Sequence, residues 1–425
     1  MLKLDSRKVT VGDIFIATKG EHTDGNNYVQ SAIDAGAKLA VTDRIFDDAR
    51  TITVPNTTKA LIRLGCYFRA RANLHTVIGI TGSCGKTTVR NWLFRTLVSQ
   101  SKNIIQSLHN YNTMISMPLN FEQLQYNTEI GIFELGTNSV GEILPLAKYV
   151  RPNIGIITNI YETHIGNFKD INELANEKVS IIEGIHKYGI LLYDGACQFE
   201  TEILKKCIER NITPVSIGFT NKCNFKINID GKQVTVTSSK SIYKYKLKIM
   251  MKHYAYMSAI VIAILEKMEL DVEKYISAIE NLTPLQGRGI ISKYKYNGKI
   301  FTLIDETYNA GPSAMLGTLE GLKQYNNRKV IVIGEMLELG DKSQQYHAKV
   351  AEKLNEFNNC KIYFIGSKSL WQLLQSYTHV ECFEHVTAEG INKVLNVLQD
   401  DDILFLKGSR SIKLEQYIGY LQCLM

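Results

Sequence analysis

Short apolar runs, each followed by a longer stretch with helical spacing, recur along most of the chain. From Val77 onward the runs are "TVIGIT", "EIGIFEL", "NIGIITNI" and "GILLYDG", and from about Ile291 a second series reads "IFTLIDE", "KVIVIGE", "KIYFIG" and "DILFLKG". Apolar strands that alternate with amphipathic helices indicate parallel sheets covered on both faces. The pattern therefore predicts an α/β protein with two large sheets, the second of them doubly wound.

The remaining segments predict a smaller unit and an edge hairpin. Residues 1–72 combine strand-like "DIFIAT" and "LAVTD" with the turn "EHTDGNN" and the helical "YVQSAIDAGA". Between Cys223 and Met250, period-two segments surround the turn "DGK", which predicts a hairpin at the edge of the central sheet. Two helices are predicted from Tyr254 to about Leu282. We expect three domains, at residues 1–72, 73–285 and 286–425.

Composition narrows the class of protein. The 425 residues are 45% hydrophobic with a net charge of +7, and the apolar run from Ser258 meets Glu266 well before the roughly 20 residues that span a bilayer. No apolar core follows the first basic residues, so we expect a cytoplasmic protein without a membrane segment or signal peptide.

Eight cysteines without CxxC pairs favour reduced thiols. The lysines from Lys240 alternate with apolar residues, which favours a strand over a nucleic-acid surface.

The stretch "GITGSCGKTTVRNW" has the form of a phosphate-binding loop. It follows the apolar run "TVI" and opens a helical segment, so backbone N–H groups and the helix N-terminus would converge on phosphate oxygens. Lys86 would carry its charge to the terminal phosphates, and the Thr87 hydroxyl would bind Mg²⁺. The predicted loop residues are Gly82, Ser83, Cys84, Gly85, Lys86, Thr87 and Thr88.

Two further side chains are predicted at the same edge of the sheet. Glu134 ends "EIGIFEL", and His164 follows "NIGIITNI" in the segment "TNIYETHIG". Ligands of open parallel sheets bind outside the carboxyl ends of the strands, where both residues fall. Because nucleotide chemistry uses Mg²⁺ and Mg²⁺ prefers oxygen ligands, Glu134 predicts a metal-assisted nucleotide site, and His164 is a further candidate functional residue at this edge.

Five groups of motifs give the whole chain a resemblance to the Mur ligase family. They are "DSRKVTVGDIFIATKGEHTDGNNYV", "GITGSCGKTT", "HNYNTMISMPL" with "ELGTNSVGEI", "LIDETYNAGPSAM", and "VIGEMLELGDKSQQYH" with "LKGSR". The last two groups are similar to the members that add D-alanyl-D-alanine, and a DNPR motif is absent from the sequence.

The resemblance implies a reaction. ATP would phosphorylate the terminal carboxylate of a UDP-N-acetylmuramoyl tripeptide, and the amine of D-alanyl-D-alanine would then displace phosphate. It also implies an N-terminal domain for the UDP-sugar, a central ATPase domain and a C-terminal domain that brings the amine. We expect a monomer that needs ATP and Mg²⁺ and binds no nucleic acid.

The resemblance also assigns residues. Catalytic roles fall on Lys86, Glu134, His164 and Lys178, and metal binding on Thr87, Glu134, His164 and a carbamylated Lys178. The ATP site would add Asn159, Arg288, Asp305, Tyr308 and Asn309 to the phosphate loop. Substrate binding falls on Ser6, Arg7, Lys19, Asn110 and Thr113, and Glu338 with Lys407 to Arg410 would lie where the C-terminal domain closes.

Some positions depart from the family pattern. Met257 and Gly311 each stand where relatives commonly have Asn, and the segment before "DSR" is shorter than usual, which predicts that the first strand and helix of the UDP-sugar domain are missing. Two alternatives stay open. One is a relative that binds nucleotide without ligation, and the other is a different amide ligase of the superfamily, such as folylpolyglutamate synthase.

Overall fold

Three sheets follow one another along the chain in the computed structural model, which describes residues 1–20, 23–101, 103–249 and 251–423. The sheets have four, nine and six strands. Glu21 and His22 of the predicted turn, and Met250 at the end of the predicted hairpin region, lie outside the described residues. No helix in the described part of the chain is long and apolar enough to cross a membrane.

The N-terminal sheet is small and entirely parallel, in the order β1-β2-β3-β4. Phe15, Val29 and Ile33 form part of its core against one helix, while a second helix leads toward the central domain. The elements are β1 (Leu2–Lys3), β2 (Ile14–Ile16), α1 (Val29–Asp34), β3 (Leu39–Thr42), β4 (Thr51–Thr53) and α2 (Thr57–Arg71).

The central sheet has the order β13-β12-β11-β10-β9-β8-β5-β7-β6, parallel from β6 to β11 and antiparallel beyond it. Its strands are β5 (Thr76–Thr81), β6 (Ile104–Gln106), β7 (Ile130–Glu134), β8 (Ile154–Ile157), β9 (Ile190–Asp194), β10 (Thr213–Gly218), β11 (Phe225–Asp230), β12 (Gln233–Thr237) and β13 (Ile242–Lys246). Its helices are α3 (Lys86–Leu97), α4 (Met117–Phe121), α5 (Ile143–Val150), α6 (Ile171–Val179), α7 (Glu200–Arg210), α8 (Lys252–Lys267) and α9 (Ile276–Glu280).

This strand order decides where the chemistry lies. β5 is flanked by β7 and β8, so the residues after three adjacent parallel strands share one edge of the sheet. β5 is buried along nearly its whole length because helices cover both faces, which explains its continuous apolar sequence. The phosphate loop, Glu134 and Asn159 therefore meet at this edge.

The C-terminal sheet has the order β14-β15-β19-β16-β17-β18, with only β14 antiparallel. Its elements are β14 (Ile290–Tyr296), β15 (Lys299–Glu306), α10 (Pro312–Leu322), β16 (Lys329–Gly334), α11 (Ser343–Asn355), β17 (Cys360–Ile365), α12 (Lys368–Gln375), β18 (Glu381–Phe383), α13 (Ala388–Asn396), β19 (Ile403–Lys407) and α14 (Glu415–Cys423). The α/β fold class with a doubly wound C-terminal sheet is confirmed.

The structure adds detail that the pattern did not predict. The expected hairpin forms between β11 and β12, and β13 extends it by one strand. The two predicted helices are α8 and the much shorter α9, which follows a 3-10 turn at Val272–Tyr275. Strands as short as β1, β4 and β6 had no apolar run long enough to mark them.

The N-terminal and central domains meet at α2, which packs on α4 and α5. The Tyr149 hydroxyl donates to the carbonyl of Ile62 at 2.8 Å, and Gly65 faces the same hydroxyl. A Cβ on Gly65 would lie 1.9 Å from that oxygen and 3.0 Å from Pro118 Cβ. The helix can approach this closely only because residue 65 has no side chain.

We expect Gly65→Ala to lower the free energy of unfolding by about 1–3 kcal/mol, because the methyl group must displace Tyr149. Urea unfolding followed by circular dichroism measures this loss. Gly317→Ala is the matched control, since Gly317 is also helical and a Cβ there meets nothing within 4 Å. The control should be neutral or stabilising by up to about 1 kcal/mol. Equal losses in both variants would contradict the contact.

Candidate active site

The phosphate loop adopts its turn through two glycines with positive φ. Gly82 has φ 137° and Gly85 has φ 84°, and Gly85 is the residue that precedes helix α3. A Cβ on Gly82 would lie 2.0 Å from Thr158 Oγ1, so the loop also needs glycine for a close approach to the neighbouring strand. The Lys86 ammonium folds back on the loop and donates to the Gly82 carbonyl at 2.6 Å.

The segment after β8 holds this loop from the side. Asn159 Oδ1 accepts from the Cys84 N–H at 2.8 Å, and Asn159 Nδ2 donates to the Cys84 carbonyl at 3.1 Å. Thr158 Oγ1 donates to the same carbonyl at 2.6 Å, and the Ser83 hydroxyl donates to the Tyr161 carbonyl at 2.7 Å. Asn159, which the resemblance assigned to the ATP site, thus contacts the loop itself.

Thr87 and Glu134 come together at the start of helix α3. The Thr87 hydroxyl donates to Glu134 Oε2 at 3.0 Å and accepts from Arg288 Nη2 at 3.1 Å. Glu134 is only 4% exposed, at the end of β7. A hydroxyl and a carboxylate beside a phosphate loop are oxygen ligands that suit Mg²⁺.

Three residues that the sequence analysis did not assign also hold Glu134. Asn112 Nδ2 donates to Glu134 Oε1 at 3.3 Å, and the Ser107 hydroxyl accepts from the Glu134 N–H at 3.0 Å. The buried Arg90 guanidinium lies 3.6 Å from Glu134 Oε2 and donates to the His109 carbonyl at 2.9 Å. Asn112 lies in the "HNYNT" stretch, so the motif that contains it could be recognised in the sequence. No sequence motif marks Arg90 or Ser107 as a partner of Glu134.

Lys178 is a buried lysine on helix α6, 2% exposed. Its ammonium has no hydrogen bond or ion pair with any residue that the structure describes. Burial, and then the positive charge of Lys86, lowers the pKa of Lys178 to about 7. The side chain therefore presents a neutral amine at slightly alkaline pH.

Glu177, the neighbour of Lys178, fixes the start of helix α5. Its carboxylate accepts from the N–H groups of Gly141, Glu142 and Ile143 at 2.6 to 2.9 Å. These are the orphan donors of a helix N-terminus, which a buried carboxylate satisfies well. Glu177 therefore joins helix α6 to the segment "TNSVGE". Because Lys178 is the next residue on helix α6, these hydrogen bonds also fix its position.

His164 has a left-handed backbone, with φ 57°, and its Nδ1 contacts the carboxylate of Glu338 from the C-terminal domain. Burial lowers the pKa of His164, and the Glu338 carboxylate opposes that shift. The Gly166 N–H donates to the Glu338 carbonyl at 2.9 Å. The two domains therefore touch directly beside His164, where Glu338 was expected.

Arg288 and Tyr308 form a stack at the boundary of the C-terminal domain. The Arg288 guanidinium carbon lies 3.8 Å from the centroid of the Tyr308 ring, and that of Arg410 lies 5.8 Å from it. The Asp305 carboxylate, which the resemblance assigned to the ATP site, accepts from the Gly287 N–H at 2.8 Å and from the Thr307 hydroxyl at 2.7 Å.

The other assigned residues lie around this centre. The buried Lys407 ammonium donates to the Asn309 carbonyl at 3.0 Å and lies 3.3 Å from the Glu306 carboxylate, and the Asn309 side chain is exposed. Asn110 and Thr113 are exposed on the segment before helix α4.

The N-terminal residues lie apart from the nucleotide side chains. Ser6, Arg7 and Lys19 belong to the first domain, where Arg7 pairs with Asp5 at 2.9 Å. No hydrogen bond or ion pair joins these three to the phosphate loop within the described ranges. They stay predictions from the resemblance.

The side chains present in the site limit how a metal ion could be bound. Across the described residues, no group of three or more His, Cys, Asp and Glu side chains is placed to hold a metal ion. The candidate ligands Thr87 and Glu134 already share a hydrogen bond. Burial lowers the pKa of His164, and the nearby charges of Lys86 and Lys178 lower it further. A bare lysine would repel a cation, so His164 and Lys178 fit a metal together only if Lys178 carries a carboxylate.

Comparison with known proteins agrees with the motifs. Three family models match the chain, namely the Mur ligase family catalytic domain at residues 1–64, the Mur ligase middle domain at 80–265 and the Mur ligase glutamate ligase domain at 292–410. The UDP-N-acetylmuramoyl-tripeptide--D-alanyl-D-alanine ligase of Rickettsia prowazekii is 30% identical, over 99% of this chain and 95% of that protein. The chain belongs to the Mur ligase family.

Further comparisons extend this likeness. The enzyme of the same name from Buchnera aphidicola subsp. Baizongia pistaciae is 30% identical over 98% of this chain and 91% of its own length. A crystal structure of MurF from Acinetobacter baumannii superposes with a TM-score of 0.88 at 26% identity, covering 99% of this chain and 92% of that one. MurF from Thermotoga maritima, solved in complex with ADP, shares the fold with a TM-score of 0.84 at 22% identity, over 99% of this chain and 97% of that one. The three-domain Mur ligase architecture is confirmed.

The lowered pKa of Lys178 predicts that the stability of this Mur ligase depends on pH. This pKa is about 7 in the folded chain against 10.5 for an ordinary lysine, so between these values the unfolded chain binds more protons and stability rises with pH. The cost of burying the ammonium is greatest below pH 7. We expect Lys178→Met to raise the free energy of unfolding most at pH 6, and less at pH 9.

Urea unfolding at both pH values in CO₂-free buffer measures this difference. Lys205→Met is the control, because Lys205 is exposed on helix α7 and its substitution should have the same small effect at both pH values. A gain for Lys178→Met that does not change between pH 6 and pH 9 would contradict the lowered pKa.

Proposed function

We propose that this Mur ligase joins D-alanyl-D-alanine to a UDP-N-acetylmuramoyl tripeptide, with ATP converted to ADP and phosphate, in the synthesis of peptidoglycan precursors. The observation that carries the proposal is the site in which Lys86, Thr87 and Arg288, the last from the C-terminal side, gather around the buried Glu134. The full-length likeness to ligases named for this reaction supports it.

The first chemical step must bring a carboxylate to a triphosphate, although both are anions. In the proposed step a carboxylate oxygen of the tripeptide bonds to the γ-phosphorus, the bond to the β-phosphate oxygen breaks, and ADP leaves. Lys86 and Arg288 reduce the repulsion, because their charges lie in a buried site where electrostatic interactions are strong. Positioning and charge stabilisation account for most of phosphoryl transfer.

The second step forms the amide. The amine of D-alanyl-D-alanine attacks the carbonyl carbon of the acyl phosphate, a tetrahedral intermediate forms, and inorganic phosphate leaves as the amine loses a proton. The contacts of His164 and Gly166 with Glu338 support delivery of the amine by the C-terminal domain, since they already join that domain to the site.

Thr87 and Glu134 would hold Mg²⁺, and His164 and Lys178 would hold a second ion once Lys178 is carbamylated. Mg²⁺ would neutralise phosphate charge during transfer. The neutral amine of Lys178 favours carbamylation, because only an unprotonated amine reacts with CO₂. Glu177 keeps helix α6, and with it Lys178, in a fixed position.

We assign the remaining roles by domain. Residues 1–72 would bind the UDP-sugar through Ser6, Arg7 and Lys19, with Asn110 and Thr113 facing the same substrate. Residues 73–285 would bind ATP, and 286–425 would bring D-alanyl-D-alanine, with Asp305, Tyr308 and Asn309 toward the nucleotide. We expect a cytoplasmic monomer that binds no nucleic acid.

The purified protein should release phosphate from Mg·ATP only when both the UDP-muramoyl tripeptide and D-alanyl-D-alanine are present. Lys86→Ala should lower kcat on the order of 100-fold or more, because a transition-state charge contact is lost. Lys205→Ala, on an exposed helix face, should leave the rate unchanged. Nucleotide binding without release in the presence of both substrates would instead indicate a non-catalytic relative.

The acyl-phosphate step has its own test. With ¹⁸O in the terminal carboxylate of the tripeptide, one ¹⁸O should appear in the phosphate released, since that oxygen bridges the carbonyl carbon and phosphorus before the amine attacks. Mass spectrometry of the phosphate measures this transfer. Phosphate released without ¹⁸O would exclude the intermediate.

Carbamylation of Lys178 can be seen directly. With ¹³C-bicarbonate, the wild type should give a carbamate carbon signal by NMR that increases as the pH rises through about 7, the pKa of the Lys178 amine. Lys178→Arg, which keeps the charge but has no reactive amine, should lack the signal. A signal that persists in Lys178→Arg would place the modification elsewhere.

A further inference from the structure

The segment that carries Arg288 is held on two sides. On the C-terminal side, Asp305 accepts from the Gly287 N–H through its carboxylate at 2.8 Å and from the Gly289 N–H through its carbonyl at 2.7 Å. Gly287 and Gly289 both have positive φ, at 73° and 96°. Arg288 thus sits at the top of a tight turn whose two flanking residues are hydrogen-bonded to Asp305 on β15 of the third sheet.

On the central-domain side, the backbone carbonyl of Arg288 accepts a hydrogen bond from a tyrosine hydroxyl. Tyr254, on helix α8, donates to the carbonyl of Arg288 itself at 2.6 Å. The Tyr254 side chain is 2% exposed, and its ring packs against Trp92 of helix α3 with the ring centroids 5.5 Å apart. A Cβ on Gly289 would lie 1.9 Å from the Tyr254 hydroxyl, so the turn needs glycine for this hydrogen bond to form.

We propose that Tyr254 is a positioning residue that sets Arg288 against the phosphate loop. Its hydroxyl fixes the Arg288 backbone relative to the central domain, while the guanidinium of the same residue reaches Thr87 Oγ1 at 3.1 Å. Residues 281–289 form the linker between helix α9 and β14. Trp92 ties this linker to helix α3, because its indole N–H donates to the Thr283 carbonyl at 2.9 Å. The phosphate loop and the linker are thereby held by one helix.

This inference rests on the proposed function in one respect, which is that Arg288 meets the phosphates of the bound nucleotide. A guanidinium on a loosely held turn loses rotational and translational freedom when it binds a phosphate. A guanidinium whose backbone is already fixed has less freedom to lose, so pre-organisation appears as tighter binding. Tyr254 would raise the affinity for Mg·ATP without touching the nucleotide.

Tyr254→Phe tests this with the loss of one oxygen atom, since the ring and its packing on Trp92 remain. We expect the Kd for Mg·ATP, measured by isothermal titration calorimetry on the full chain, to rise about three- to tenfold, the equivalent of one hydrogen bond. Tyr245→Phe is the matched control. Its hydroxyl is also buried and bonds Ser258 at 2.7 Å on the same helix α8, away from the linker.

A double-variant comparison separates positioning from a general loss of structure. In an Arg288→Met background, Tyr254→Phe should have no further effect on the Kd, because the group that it positions is gone. An unchanged Kd for Tyr254→Phe, an equal rise with Tyr245→Phe, or the same rise in the Arg288→Met background would each overturn the inference.

The binding measurements test the role of Tyr254 separately from the ligase assay. If the wild type binds Mg·ATP and the Kd values follow the expected pattern but no ligation occurs, the proposed function fails and the role of Tyr254 is supported. If ligation occurs and the Kd values do not follow the pattern, the role of Tyr254 fails alone. A wild type that binds no Mg·ATP would overturn both.

Discussion

The structure of the site depends on the hydrogen bonds between the phosphate loop and the segment that follows β8. Thr158 and Asn159 together bind both backbone groups of Cys84, and the close approach at Gly82 leaves no room for a Cβ. The loop is therefore shaped before any nucleotide arrives. Because β7 lies on the other side of β5, the same constraint fixes where Glu134 stands relative to Thr87.

A second constraint is electrostatic. The cations Lys86, Arg90 and Arg288 gather around one carboxylate, that of Glu134, and the last two contact it directly or through Thr87. Such an excess of positive charge in a buried site is costly without a ligand, and burial lowers the pKa values of Lys86 and Arg90 accordingly. The uncompensated positive charge makes the site complementary to a polyanion, because the negative charges of a triphosphate would neutralise it.

Sequence reasoning predicted the residues that a local motif or the end of a parallel strand marks, and it missed side chains whose partners only the fold brings near. The phosphate loop could be found because its glycines, lysine and hydroxyl residues are consecutive and sit between a strand and a helix. Glu134 could be found because the carboxyl ends of parallel strands share an edge. Glu177 could not, because the three N–H groups that it accepts from come from residues about 35 positions earlier in the chain.

Asp305 shows a different limit of sequence reasoning. An aspartate near the end of a strand is consistent with ribose binding, but equally with binding its own backbone, and in the structure it binds Gly287 and Thr307. Only the fold shows which donors are near. Asn112 likewise shares a short motif with Asn110 and Thr113. Which of these side chains reaches Glu134 depends on the backbone conformation of the segment before helix α4, and in the structure it is Asn112.

The domain boundary and the nucleotide site coincide, and this follows from the chemistry that the site must perform. Arg288 belongs to the linker yet contacts Thr87, and Glu338 belongs to the third domain yet contacts His164. In a reaction with two successive substrates, the positive groups that assist the first step must be in place before the amine of the second step arrives. When the groups that complete the site are carried by a separate domain, its approach can depend on what is already bound. Gly287 and Gly289, in conformations that other residues rarely adopt, give the linker the tight turn that places Arg288 between the two domains.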